Sequence, residues 1–295
     1  MFDLLRQAKG SIETYTNALR THVSNLNNSN TEGYKAIQYT FKSVFENTLN
    51  LGFGTTNNRS ATNPSQLGGQ GVLAEIRSDF SQGKLVEGNN LDIAISGNGL
   101  FPLYSPRERE TVYSRNGRFA VSADSSSIVD TSNRNLLGWK IGSDGTPDTS
   151  VLVKMDITDK SDLGWSDDGI LEAGFQAAAD AVSFNESNPT ATVTVPDVEQ
   201  LYQLALVDFP NPSGLERVDG TAFRPSDGSG VPQNPALPGD AGLGSITGGS
   251  FESSNVFESG ETIDALGIQR AMGASLSALQ LVNKELQEII QAIAS

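Results

Sequence analysis

Ile268-Gln269-Arg270-Ala271-Met272-Gly273-Ala274-Ser275-Leu276 opens the stretch that decides the fold, and Leu279, Val282, Leu286, Ile289 and Ile293 continue it. From Ile268 onward these apolar residues step by 4, 4, 3, 3, 4, 3 and 4. The mean step is close to the coiled-coil spacing of about 3.5 residues. Lys284, Glu285, Gln287, Glu288 and Gln291 lie off the stripe. The spacing predicts a helix over roughly 260–294.

The opposite end has the same pattern. Leu5, Ala8, Ile12, Tyr15, Leu19, Val23 and Leu26 are three or four residues apart and mark one helical stripe. Asn and Ser residues from Asn25 to Asn30, then Gly33, stop that helix by competing for backbone hydrogen bonds. Each terminal helix has one stripe for burial, and pairing the two is the economical solution. Two isolated helices are marginal in water. A stripe of eight side chains contributes on the order of 10 kcal/mol before ordering entropy is subtracted. Association with further copies therefore decides whether the ends fold.

Between the stripes the pattern changes. Leu91-Asp92-Ile93-Ala94-Ile95 alternates and runs into Gly97-Asn98-Gly99, a strand followed by a turn. Val112 to Val121 reads as two short strands around Asn116-Gly117, and Ala191–Val195 and Leu201–Val207 as further strands. The expected class is α+β, mainly β: terminal helices pairing as a coiled coil, with a central all-β domain. The expected divisions are a helix within 1–35, an extended link over 36–80, a β-rich domain over 81–250 and a last helix within 251–295. Within the β-rich domain, 145–205 reads as a variable part. Six prolines and many glycines mark 210–250 as an irregular arm outside the core. Residues 161–190 fit an inserted hairpin or a short helix.

The 295 residues are 37% hydrophobic, enough for a sizeable core. Thirty glycines and twelve prolines favour turns. A net charge of −15 argues against nucleic acid and anionic membranes as partners. There is no cysteine, which excludes disulfides and thiolate chemistry. No run of about 18 apolar residues suggests membrane insertion, and MFDLLRQAKG does not read as a cleavable secretory signal.

Catalytic chemistry finds little footing. His22 is the only histidine and sits in the first helix, where a packed helix residue explains it. Asp144-Gly145, Asp167-Asp168-Gly169 and Asp227-Gly228 lack the spaced carboxylates of a calcium loop and read as turns. Gly97-Asn98-Gly99 lacks the third glycine of a dinucleotide site. Glu108 and Glu110 lie in a charged loop, so a glycosidase pair has no support in the linear sequence. No catalytic residue, cofactor or metal is expected.

Several segments resemble the flagellar rod and hook proteins. Ser24 to Lys35 is similar to that family's N-terminal signature, carried by Asn25, Asn28, Asn30, Thr31 and Gly33. Asp79 to Leu85 resembles its Phe-x-Gln-Gly segment. Asn90 to Phe101, with Asp92, Gly97 and Gly99, is similar to its most recognisable strand and turn, and Tyr113 to Phe119 follows. Phe251 to Val256, with Asn255, and Ile268 to Ala271, with Gln269 and Arg270, resemble the entry and middle of its last helix. Met272 replaces a usual aromatic, Ser275 a usual asparagine, and Ser11 to Thr16 a usually small apolar run.

The resemblance implies a self-assembling subunit of a tubular axis, with terminal helices inside and the β domain outside. It implies a homopolymer that meets neighbouring axial proteins, a hook or rod cap and the type III export apparatus. The implied location is the flagellum, outside the cell for a hook and across the periplasm for a rod. The expected assembly residues are Leu5, Ile12, Leu19, Leu26, Ile268, Met272, Leu276, Leu279, Val282, Leu286 and Ile289. Asn63 to Val72 resembles a hook-protein stretch, so hook is the main reading and distal or proximal rod the alternative. A secreted β-rich binding module is a further alternative.

Overall fold

The computed structural model describes residues 2–43, 47–50, 65–67, 72–124, 126–142, 144–157, 162–173 and 199–294. The chain divides into two compact units. A helical unit comprises 1–27, 37–77 and 257–295, and a β body comprises 28–36 and 78–256.

The helical unit holds α1, Phe2–Asn27, and α2, Glu258–Ala294. Helix α2 has 37 residues, about 55 Å at 1.5 Å per residue. Glu258 and Glu261 occupy its first turn, where carboxylates complement the helix dipole. Strand β1, Ile37–Ser43, pairs with β4, Val72–Ser78, and β2, Asn47–Asn50, pairs with β3, Ser65–Leu67. Tyr39 and Phe41 of β1 lie against α1. The Tyr39 hydroxyl donates to Thr14 O at 3.3 Å, and the Phe41 and Tyr15 rings are 5.7 Å apart.

The β body is built on one large antiparallel sheet. In chain order its strands are β7 Phe101–Ser105, β8 Glu110–Ser114, β9 Phe119–Val121, β10 Ile128–Asp130, β11 Asn135–Lys140, β12 Val153–Lys154, β13 Leu163–Trp165, β14 Ile170–Ala173, β15 Glu199–Leu204, β16 Glu216–Asp219 and β17 Ala222–Arg224. The main path runs β13-β14-β15-β11-β7-β8-β17-β16. Beside it are two short ladders. Strand β5, Leu85–Glu87, pairs with β19, Ser250–Glu252, and β6, Ile93–Ser96, pairs with β18, Ser245–Gly248. Phe101, Leu103, Val112, Leu136, Leu171 and Leu204 form the core with Ile93, Ile95 and Ile246 from the ladders.

The architecture is α+β and mainly β, with a helix at each end. Three local readings change. Strands β8 and β9 flank Asn116-Gly117 but do not pair with each other, because β8 lies between β7 and β17 and β9 joins β10. Gly117 instead passes against Ile93, whose N–H donates to its carbonyl at 2.9 Å. A Cβ on Gly117 would lie 1.6 Å from Ile93 O. Secondly, Asp92, Ile93, Ala94 and Ile95 are all buried, so this strand is covered on both faces rather than alternating. Thirdly, 210–250 is not an arm outside the core. It supplies β16, β17 and β18 and buries Leu215, Phe223, Leu243 and Ile246. Its prolines and glycines keep the strands short, and the apolar residues between them pack inward. The expected strand Ala191–Val195 and much of 161–190 lie outside the described residues, although β13 and β14 form a hairpin within that region.

Candidate assembly surface and a buried charge cluster

In the helical unit the two helices touch through side chains near Thr16 and His22. Thr16 Oγ1 lies 3.9 Å from Met272 Sδ. His22 Nδ1 lies 2.5 Å from Glu261 Oε2, and Asn25 Nδ2 donates to Glu261 Oε1 at 2.9 Å. Asn25 is fully buried and caps β1. Its amide also donates to Ile37 O, and its oxygen accepts from Ile37 N, both at 2.9 Å. The order of these contacts makes the helices antiparallel: residues 16 to 25 of α1 meet 272 back to 261 of α2.

Burial within this pair is sparse. Among the described side chains of α1 and α2, only Ala18, Asn25 and Ile268 are buried. Ile12, Leu19, Leu26, Met272, Leu279, Val282 and Leu286 are half-buried. Leu276 and Ile289 are exposed, as are Val23, Ile263, Leu266, Leu281 and Ile290. Ile263 retains 68% of its accessible surface and Leu281 60%. The side chain of Leu5 lies outside the described residues. Gln269 and Arg270 are exposed. A helix of this length with so little apolar cover presents an uncovered apolar surface.

The β body contains the other feature. Glu252 is 1% exposed and collects two cations. Lys35 Nζ donates to its Oε1 and Arg115 Nε to its Oε2, each at 2.7 Å. Gly83 N also donates to Oε1 at 2.6 Å. Lys35 donates further to Ser81 O at 2.8 Å, and Arg115 to Ile95 O, Gly97 O and Gly99 O. Burial pushes the Lys35 ammonium below the usual lysine value, and the adjoining Glu252 carboxylate opposes that shift. Every oxygen and most N–H groups of the cluster are used, as a buried ion cluster requires.

The cluster joins all the family-like segments of the β body. Gly33 N donates to Glu252 O at 2.7 Å, and Asn255 Oδ1 accepts from Ala36 N at 2.7 Å. Asn255 Nδ2 donates to Asp79 O at 2.8 Å and Ser81 O at 3.0 Å. Gly33 has φ +67°, and a Cβ there would lie 2.4 Å from Asn116. Arg217, whose N–H groups reach Lys35 O and Ser78 Oγ, stacks over Tyr34 at 4.6 Å and Phe223 at 5.0 Å. Asp92 is buried and accepts from Asn89 N at 2.8 Å. Asn28 and Thr31 close the turn after α1, and Asn30 is exposed.

Sequence reasoning picked out the asparagines and glycines of these segments; Lys35, Arg115 and Glu252 lay within the same motifs but were given no role, and Glu261 was not singled out. Charged residues set inside otherwise Gly-, Ser- and Asn-rich motifs were the available signal. Among the described residues no group of His, Asp or Glu is arranged to hold a metal, and no helix is long and apolar enough to cross a membrane.

No protein-family profile matches the chain. Individual relatives do. The flagellar basal-body rod protein FlgG of Borreliella burgdorferi is 29% identical over 265 residues, spanning 88% of this chain and 87% of that protein. FlgG of Bacillus subtilis is 25% identical over 270 residues, 90% of each chain. The flagellar hook protein FlgE of Caulobacter vibrioides is 32% identical over 91 residues, 31% of this chain and 15% of that protein. The matches to rod proteins span about nine-tenths of this chain, and with the partial hook match they support placing it with the flagellar rod and hook axial proteins.

Proposed function

We infer that this chain is a rod-type structural subunit of the flagellar axis, polymerising through α1 and α2 and having no catalytic role. The observation that carries the rod reading is coverage. Rod proteins align over about nine-tenths of their own length, whereas the hook protein aligns over 15% of its own. The partial hook alignments keep hook as the second reading, and both place the subunit in the flagellum.

The exposed apolar residues of α2 support assembly through the ends of the chain. In the polymer, α1 and α2 pair as a coiled coil and neighbouring copies cover Leu276, Leu281, Ile289 and Ile290. A contact that repeats without closing produces a tube or filament. The implied partners are further copies, adjoining axial proteins, a rod or hook cap and the type III export apparatus.

Electron microscopy of cells lacking the protein tests the reading. A truncated rod is expected, and an intact rod without a hook would favour the second reading. Cells with complete flagella would overturn both. In the purified protein, deletion of 268–295 is expected to abolish polymerisation.

A further inference from the structure

The large sheet is contiguous in the chain. All its pairings lie within 101–224, and its first hairpin, β7 with β8, joins neighbouring segments. The region around Glu252 is built differently. It draws on 33–36, 79–99 and 243–255, with partners 217 and 169 positions apart for Lys35 and Gly83. Distant partners carry the larger loop-closure cost and form late. Charge adds a second delay. Until Glu252 is in place, closing this region would bury the Lys35 ammonium and Arg115 guanidinium without the carboxylate that both hydrogen-bond. Every chain is made from its N-terminus, so both cations must wait for the last part of the β body.

We propose that Glu252 is the catch of a clamp that closes last, fastening segments 33–36, 79–83 and 252–255 onto a sheet that folds without them. Arg115 is the sheet's contribution, since it follows directly on β8. Ladder β5–β19 seats the catch, and ladder β6–β18 rests on the sheet through Ile93 and Gly117. These three segments lie next to residues 36/37, 77/78 and 256/257, three of the points where the chain passes between its two units. Opening the clamp therefore frees those three passages while leaving the sheet intact. The use of that freedom in assembly rests on the axial-subunit reading, but the clamp itself does not.

Native-state hydrogen exchange on the full unaltered chain tests this. The amides of Asp79, Gly33 and Ser253, bonded to Ala36 O, Glu252 O and Lys84 O, report the clamp. Those of β7 and β8 report the sheet. The clamp amides are expected to share one opening with a single denaturant slope, at least about tenfold more frequent than that of the sheet. Glu252→Gln is expected to speed clamp exchange by a further factor on the order of 10² or more and to leave the sheet amides unchanged. A common rate for clamp and sheet in the unaltered protein would overturn the proposal. So would a variant that speeds both equally, changes neither, or fails to fold, since the sheet would then depend on the clamp. Polymerisation is not read in this experiment, so its result is separate from that of the assembly reading.

Discussion

Lys35 and Glu252 stand 217 positions apart in the chain and 2.7 Å apart in the interior of the β body. Their pairing ties the exit from the first helix to the approach to the last one. Arg115 completes the cluster from the end of β8, an interior strand of the main sheet.

Removing the shared anion should cost more than removing one of its cations. Glu252→Gln leaves two buried cations short of a partner and is expected to destabilise the β body by about 3–5 kcal/mol. Lys35→Met leaves Glu252 paired with Arg115 and is expected to cost roughly 1–3 kcal/mol. Denaturant unfolding of both variants checks the order, and an equal or reversed order would count against the shared-anion arrangement.

Glycines separate by what surrounds them. Gly117→Ala places a methyl against Ile93 O and is expected to destabilise by about 2–4 kcal/mol. Gly10→Ala and Gly273→Ala, in α1 and α2, meet nothing within 4 Å. Each is expected to stabilise its helix by roughly 0.5–1 kcal/mol. Thermal unfolding followed by circular dichroism reads both signs.

Asn25→Leu should loosen the helical unit alone. It leaves the Ile37 N–H and C=O without their partner and takes a donor from Glu261. A loss of about 2–4 kcal/mol is expected, local to α1, α2 and β1. Exchange that rises equally in the β body would contradict that locality.

Acid should reach one surface turn late. The Ser122 hydroxyl, then the Ser126 hydroxyl and amide, hold the exposed Asp124 carboxyl down to about 2, below its ordinary 3.8. A folded value below the unfolded one means the turn's contribution is present above about 3.8 and is lost as pH falls through about 2. An NMR titration of Asp124 checks the value, and Ser122→Ala is expected to raise it. Titration at the ordinary value in the unaltered protein would refute the hydroxyl's role.

Much of this fold was legible because period and punctuation are local. The stripe from Ile268 gave a helix observed at Glu258–Ala294, and the Asn-rich run after Leu26 ended α1 at Asn27. Partner choice was less legible. Nothing local in Val112–Val121 says that Ala222 and Phe223 will lie beside β8, or that Gly117 will meet Ile93. The arm expected over 210–250 failed for the same reason. Proline and glycine mark where strands stop, while the burial of Phe223 and Ile246 depends on a surface made elsewhere in the chain. The charge cluster was hidden because Lys35, Arg115 and Glu252 each look like ordinary surface residues until distant segments converge.

The central claim is that the terminal helices are completed by other copies. Hydrogen exchange of residues 8–26 and 268–290, in the monomer and again in the polymer, tests it most directly. Weak protection in the monomer and strong protection in the polymer is the expected result, given that only Ala18, Asn25 and Ile268 are buried among the described side chains of the two helices. Strong protection in the monomer, unchanged by assembly or with no assembly at all, would contradict it.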